Sequence, residues 1–177
     1  MAQLLMKLPS LAGFLPVARS DLRHADDSDA EGLARLLGAA FPEIAWSADR
    51  ARQDLFGDPS VAAVYVIDGP EGLLATAAAR YHAPFAGVGY VHWVGVDPAA
   101  RGRALGTAVM NAVLARFGAD GLAAAVLETD DVRLPAITSY LAQGFVPQYP
   151  DLDHEGRWSA VFAALAAWRQ GKRGGLT

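Results

Sequence analysis

The apolar residues change their period several times along the chain, and each change marks an element. Residues 19–24 form a short candidate strand. The acidic run at 26–29 then supplies capping side chains for a helical pattern of Leu33, Leu36, Leu37 and Ala40. A second helix is predicted from Ser47, whose hydroxyl can cap it, to the vicinity of Phe56, ahead of Gly57 and Pro59. Residues 41–46 between these helices form a loop that mixes apolar and acidic groups. Residues 61–67 are dense in β-branched and aromatic side chains, Asp68-Gly69-Pro70 reads as a turn, and 73–82 continue as a partner strand, so a β-hairpin is expected.

Residues 90–96 are the most strand-like run. A long helix over about 103–117 follows, with Leu105, Val109, Ala112, Val113 and Phe117 along one face. Gly118 and Gly121 bracket its end, and the continuous apolar run at 122–129 suits a strand buried on both faces. Pro135 fits the first turn of another helix carrying Ile137, Tyr140 and Leu141, closed by Gly144, and Phe145 and Val146 start a last strand. Trp158, Val161, Phe162, Leu165 and Trp168 recur at helical spacing, which predicts an amphipathic C-terminal helix. The elements run strand, two helices, hairpin, strand, long helix, strand, helix, a mixed α/β order that accommodates the α+β class. We expect one domain over residues 19–170, an N-terminal extension at 1–18 and a flexible tail at 171–177.

Composition narrows the functional classes. A net charge of −4 argues against broad binding to nucleic acid and suits a neutral or cationic small partner. Without cysteine there is no disulfide, thiolate metal site or cysteine nucleophile, and the histidines at 24, 82, 92 and 154 show no close metal-ligand spacing, so no metal is expected. The apolar N-terminal stretch is interrupted by Pro9, Gly13 and Pro16 and lacks a clean cleavage site, and no run is long enough to span a bilayer. The expectation is a cytoplasmic enzyme with no membrane partner.

The chemistry concentrates in residues 90–114. A strand stops at Asp97-Pro98, a small basic turn follows, and a helix begins. Such a turn presents free backbone amides at the positive end of a helix dipole, a ready site for a pyrophosphate. Arg101 and Arg103 can add charge-assisted hydrogen bonds, and small residues at 102, 104 and 106 let the main chain approach phosphate oxygens. An ordinary strand-to-helix turn with solvated arginines fits the same residues. No P-loop or dinucleotide fingerprint is spelled.

With Arg101 in the first slot and Gly106 in the last, the stretch resembles the acyl-CoA signature of the GNAT acyltransferases, with Ala104 where that family most often has its first glycine. In residues 135–145 the alanine, tyrosine and glycine-phenylalanine pair fall at the spacing of that family's last conserved helix. The chain is also loosely similar to the GNAT halves of mycothiol synthase. Those proteins carry two such units and this chain has length for one, so their substrate is not assigned.

The resemblance implies a GNAT fold, a mostly antiparallel central sheet with a splayed parallel strand pair, flanked by helices. It implies acetyl-CoA as donor and transfer of its acetyl group to a primary amine of a small molecule or a peptide N-terminus, by direct attack in a ternary complex. Monomer and homodimer both fit. Donor contacts fall at Val94, Gly95, Val96, Arg101, Gly102, Arg103, Ala104, Leu105, Gly106 and Thr107, and at Thr129, Arg133, Ala136 and Tyr140. Arg133 stands where the family often has asparagine. The Val94 amide is implied as oxyanion donor and Tyr140 as the group that returns a proton to the thiolate, with packing on the sheet as the other role open to that tyrosine. Strand alternation is expected to put His92 on the face of Val94, in the slot where many members carry a proton-accepting glutamate. A structural histidine fits there as well. Asp130 and Asp131 can orient the amine or cap the next helix, and Glu43 and Trp46 lie in a loop that in this architecture borders the acceptor. His154 and Trp158 could border the same cleft, or belong to a helix that covers the core. The reading from another class is a GNAT-shaped module that senses acyl-CoA without turnover.

Overall fold

The computed structural model describes residues 3–15 and 18–174. It opens with strand β1 (Leu4–Leu8), in which Leu4, Met6 and Leu8 are buried and the residues between them half-buried. Short β2 (Leu22–His24) leads to a 3₁₀ turn (Asp27–Asp29) in which the Asp26 side chain accepts from the Ser28 N–H and the Asp29 side chain accepts from the Asp26 N–H, a reciprocal cap on the turn that runs into α1 (Ala30–Ala40). Ser47 accepts from the Arg50 N–H and so caps α2 (Ala48–Ala51), which widens into a π-helical turn over Arg52–Phe56. The hairpin is β3 (Val61–Gly69) and β4 (Gly72–Arg80); β5 (Gly89–Val96) follows, then α3 (Leu105–Ala119). β6 (Ala125–Thr129), α4 (Leu134–Ala142), β7 (Val146–Pro147) and α5 (Leu152–Gly174) complete the chain.

The residues group into two compact units, 10–125 in one, 1–9 with 126–177 in the other. In the first, β2, β3, β4 and β5 pair antiparallel in that order. Its sheet is covered on both faces. On one side Leu33 and Leu37 of α1 and Ala51 and Leu55 beyond it pack with Val64, Val66 and Ala78. On the other lies α3, whose Gly106 approaches Val96. Burying these apolar faces stabilises the sheet far more than strand propensity alone would.

In the second unit β1 stands between β6 and β7 and pairs antiparallel with β7, with Met6 opposite Pro147. α5 buries Trp158, Val161 and Leu165, and the Trp158 indole N–H donates to the Gln148 carbonyl.

Two segments outside the expected 19–170 domain carry regular structure. The extension expected at 1–18 contains a sheet strand, because the alternation of Leu4, Met6 and Leu8 buries one face of β1. Part of the tail expected at 171–177 is helical, since α5 continues to Gly174. Residues 1–2 and 16–17 of that extension and 175–177 of that tail lie outside the described residues.

Candidate active site

In the first unit the site begins at the end of β5. Asp97 accepts from the Ala99 N–H at 2.7 Å and fixes a single 3₁₀ turn over Pro98–Ala100. Arg101, Gly102, Arg103 and Ala104 are exposed, and Gly102 (φ 81°) and Ala104 (φ 56°) are left-handed. That backbone turns the chain sharply, so α3 starts at Leu105 and not at Arg103, where periodicity placed it. Alternating left-handed residues at a helix start aim successive N–H groups into one concavity, an anion-binding nest. Among the described residues no protein acceptor meets the N–H groups of residues 102–106, and Ala104 has no side chain able to cap the helix. A Cβ on Gly106 would lie 3.2 Å from Val96 Cγ2, so the bare glycine lets α3 sit close on β5. Leu105 is buried beneath the turn and Thr107 is half-buried.

β5 carries an irregularity that the sequence did not announce. Thr76 pairs with Gly95 and Ala78 with His92, so two steps on β4 oppose three on β5. The extra residue forms a bulge at Trp93, whose φ is 49°. For a bulky residue this costs about 1–2 kcal/mol. The bulge corrects the expected alternation: the face of His92 is shared by Gly95, and the simple rule that would place His92 beside Val94 fails at Trp93.

Rings crowd the bulge. Trp93 meets Phe41 edge-on at 5.4 Å, Trp46 edge-on at 4.8 Å and His92 at 4.6 Å. Such pairs contribute about 0.5–1.5 kcal/mol each beyond area burial, enough together to offset the backbone strain. Tyr90 stacks on His92 at 5.1 Å. Burial is the main cause that pushes the His92 imidazole down to about 4, with Arg80 and His82 adding to it, so the ring is neutral at physiological pH. Glu43 is exposed in the same α1–α2 loop. Trp46 is half-buried beneath the Arg50 guanidinium at 5.1 Å, with its indole N–H buried and unpaired.

The second unit holds the remaining candidates. Thr129 is buried at the end of β6 and Ala136 is half-buried in the first turn of α4. Arg133 Nε donates to Asp130 at 2.9 Å, and Asp130 also receives the Gln3 side-chain amide at 3.2 Å. Asp131 is held by Arg157, whose Nε donates at 3.0 Å and whose hydrogen bonds, with its charge adding to them, keep that carboxyl below the usual range. Neither aspartate caps α4 with its side chain, because Arg133 occupies the cap position, so the helix-capping alternative does not hold. Tyr140 is 8% exposed and packs against Phe145 at a centroid distance of 6.2 Å. Its hydroxyl has no hydrogen-bond partner among the described residues, and burial raises it to about 12. His154, buried at the start of α5, pairs with Asp151 at 2.7 Å. Trp158 is fully buried in the core, the second of the roles left open for it. Among the described residues there is no cluster of three histidines or carboxylates placed to hold a metal, and no helix is long and apolar enough to cross a membrane.

A bulged strand followed by a turn of uncapped amides at a helix start is the arrangement that the resemblance to acyl-CoA-dependent N-acyltransferases implies. The match to the acetyltransferase (GNAT) family model runs over residues 30–145, from the first residue of α1 to the glycine-phenylalanine pair after α4. The chain belongs to the GNAT acetyltransferase family. Members take their acetyl group from acetyl-CoA. A mycothiol acetyltransferase of Nocardioides sp. is 34% identical over 141 residues, which is 69% of this chain and 48% of that protein. Another, from Nocardia farcinica, is 38% identical over 65 residues, 37% of this chain and 22% of that protein. The chain thus spans at most about half the length of these curated relatives. Among solved structures, a GNAT-family protein of Novosphingobium aromaticivorans superposes with TM-score 0.65 at 20% identity, covering 84% of this chain and 61% of that one. The ribosomal-protein-S18-alanine N-acetyltransferase of Escherichia coli gives 0.61 at 17% identity, covering 75% and 84%. These likenesses establish the fold.

Phe41 and Trp93 escaped sequence reasoning. Both looked like ordinary apolar residues, and only the register of β5 against β4 reveals that Trp93 carries an inserted, left-handed turn.

Proposed function

We propose that this acetyltransferase moves the acetyl group of acetyl-CoA to a primary amine of a small molecule or a peptide N-terminus, by direct attack with both substrates bound. The observation that carries the donor side is the run of uncapped N–H groups over residues 102–106, in a turn where Arg101, Gly102, Arg103 and Ala104 are exposed. Two left-handed residues and a helix dipole favour a diphosphate there, and the arginines add charge. Val94, Gly95 and Val96 supply strand backbone for the donor's amide-bearing arm. Thr107, Thr129, Arg133 and Ala136 complete the proposed donor contacts.

In this reading the amine nitrogen attacks the thioester carbon, the Val94 N–H donates to the oxygen that becomes negative, and the C–S bond then breaks. Tyr140, kept protonated by its burial, donates to the departing sulfur. The acceptor attacks as the neutral amine after its ammonium form has lost a proton to solvent, and the proton its nitrogen sheds on attack passes to solvent, from which Tyr140 regains the one it gave to sulfur. His92 is too weak a base to hold that proton, yet its neutral ring has a free lone pair that can accept a hydrogen bond from the amine. Glu43, Asp130 and Asp131 enter as acidic groups for a cationic acceptor, which suits the net charge of −4.

The test is calorimetric titration of coenzyme A, followed by thiol release from acetyl-CoA across a panel of amines. We expect saturable binding, and thiol release that depends on the amine. Arg101→Ala should weaken coenzyme A binding, whereas Tyr140→Phe should lower kcat by roughly 10²-fold and leave that binding unchanged. Absence of both heat and thermal shift with any acyl-CoA would remove the reading. Binding without amine-dependent thiol release would remove the proposed acceptor class alone.

A further inference from the structure

We infer that Phe41 and Trp46 are positioning residues: they clamp Trp93 in the left-handed conformation that makes the β5 bulge, and so set the direction of the Val94 N–H. The catalytic consequence rests on the function proposed above, in which that N–H meets the oxyanion. The clamp itself stands on geometry independent of it.

Trp93 is an unusual residue to find at φ 49°. Local strain of this kind persists only where the surroundings over-determine it. Here they do so from one direction, the loop between α1 and α2. Phe41 ends α1, with its N–H bonded to the Leu37 carbonyl at 2.8 Å, and presents its ring at 79° to the Trp93 indole. Trp46 immediately precedes the Ser47 cap of α2 and presents its ring at 84°. Arg50 secures that second contact. Its guanidinium lies over Trp46, bonds the Ala45 carbonyl at 3.2 Å and pairs with Asp54 at 3.1 Å. Both rings are thus anchored to helix ends, and both meet the Trp93 indole edge-on.

The backbone follows the ring. The β4 ladder resumes only at Gly95, so Trp93 and Val94 make no register pair with β4 and their amide directions depend on the torsions at Trp93. Were Trp93 to relax to an extended torsion, the bulge would have to move or vanish and the Val94 N–H would turn with it. The buried Trp46 indole N–H has no partner among the described residues, so ring packing and not hydrogen bonding holds this side chain. Phenylalanine should therefore substitute for it, and glycine at 93, at ease in the left-handed region, should make the clamp dispensable.

The experiment combines a conformational and a kinetic readout. The φ at residue 93 is measured from three-bond couplings and backbone shifts in wild type, W46A and W46F, with W46L in place of W46A should that variant not fold. Activity and coenzyme A affinity are measured for the same proteins and for W93G and W46A/W93G. We expect W46A to move residue 93 out of the left-handed region and lower kcat by roughly tenfold or more, with coenzyme A affinity within about twofold of wild type. W46F should behave as wild type, and W46A should cost less than about threefold when added to W93G. A residue 93 that stays left-handed in W46A overturns the inference. So does a loss that persists undiminished on the W93G background, which would mean that Trp46 acts on the acceptor directly, or a W46F variant as impaired as W46A. If wild type transfers to no amine, the proposed function fails while the torsion at 93 still decides the clamp.

Discussion

Ala104 shows how one exposed methyl group can matter through backbone torsion alone. It stands at φ 56° and ψ 20°, in the left-handed region that glycine enters freely, and it immediately precedes α3. The Cβ costs about 1–2 kcal/mol in that conformation. Gly102, at φ 81°, occupies the same region without penalty, and a Cβ there would meet no neighbour within 4 Å. Space is therefore not the issue at the turn; backbone torsion is. Ala104→Gly should stabilise the protein by up to roughly 1 kcal/mol, since relief of strain exceeds the added freedom of the unfolded chain. Gly102→Ala should destabilise it by a similar amount. Urea midpoints with unchanged slopes would establish both signs, and a destabilised Ala104→Gly variant would contradict the strain assigned to this residue. Coenzyme A should bind the Ala104→Gly variant at least as tightly as wild type, because the same N–H groups remain and their geometry costs less to hold.

At the scale of elements, the donor site depends on how closely α3 sits on β5. A methyl on Gly106 would lie 3.2 Å from Val96 Cγ2, close enough to require a shift of a few tenths of an ångström but not to unfold the packing. Gly106→Ala should therefore change stability by no more than about 1 kcal/mol and weaken coenzyme A binding by roughly several-fold, because the N–H groups move with the helix. Calorimetry and thermal unfolding on one preparation separate the two effects; equal loss in both would show that the helix carries stability and not the geometry of the site. The helices and the hairpin were legible in sequence because their periods are long and their punctuation is strong: the reciprocal cap at Asp26 and Asp29, Ser47, and Asp68-Gly69. The turn at residues 101–106 was legible for the same reason, since arginines and small residues mark it chemically. β1 was not, because five residues framed by leucine, methionine and a single lysine read as easily as an interrupted leader. The bulge was not either. Residues 90–96 are apolar on both parities, so an inserted residue leaves no break in the pattern, and only pairing with β4 exposes it.

Across the molecule, two histidines tie the two units to pH with opposite sign. His92, in the first unit, is pushed from 6.5 to about 4, chiefly by burial, with Arg80 and His82 lowering it further and Asp54 and Asp58 opposing. The unfolded chain binds this proton at a higher pH than the folded one, so stability falls as pH drops from about 6.5 to about 4, by at most roughly 3 kcal/mol. His154, in the second unit, is raised, chiefly by the hydrogen bond to Asp151 and also by the Gln3 carbonyl 3.3 Å from Nε2, against desolvation and the charge of Arg157. A carboxylate on one nitrogen and a carbonyl on the other call for a ring that donates twice, the imidazolium. Its contribution is complete below 6.5 and is lost as pH rises through the raised value, loosening the tie between Gln3, just ahead of β1, and the start of α5. Amide exchange, corrected for the intrinsic rate, should therefore show protection of β5 falling on acidification from pH 6.5 to 4. Protection of residues 4–8 should fall on passing above the His154 value. His92→Gln should flatten the first dependence and leave the second, and His154→Gln the reverse. Asp131 and Asp151, themselves held below the usual carboxylate range by Arg157 and His154, lose their partners only further into acid and fall outside both windows. One shared pH profile for both segments, unmoved by either substitution, would refute the assignment of opposite signs to the two imidazoles.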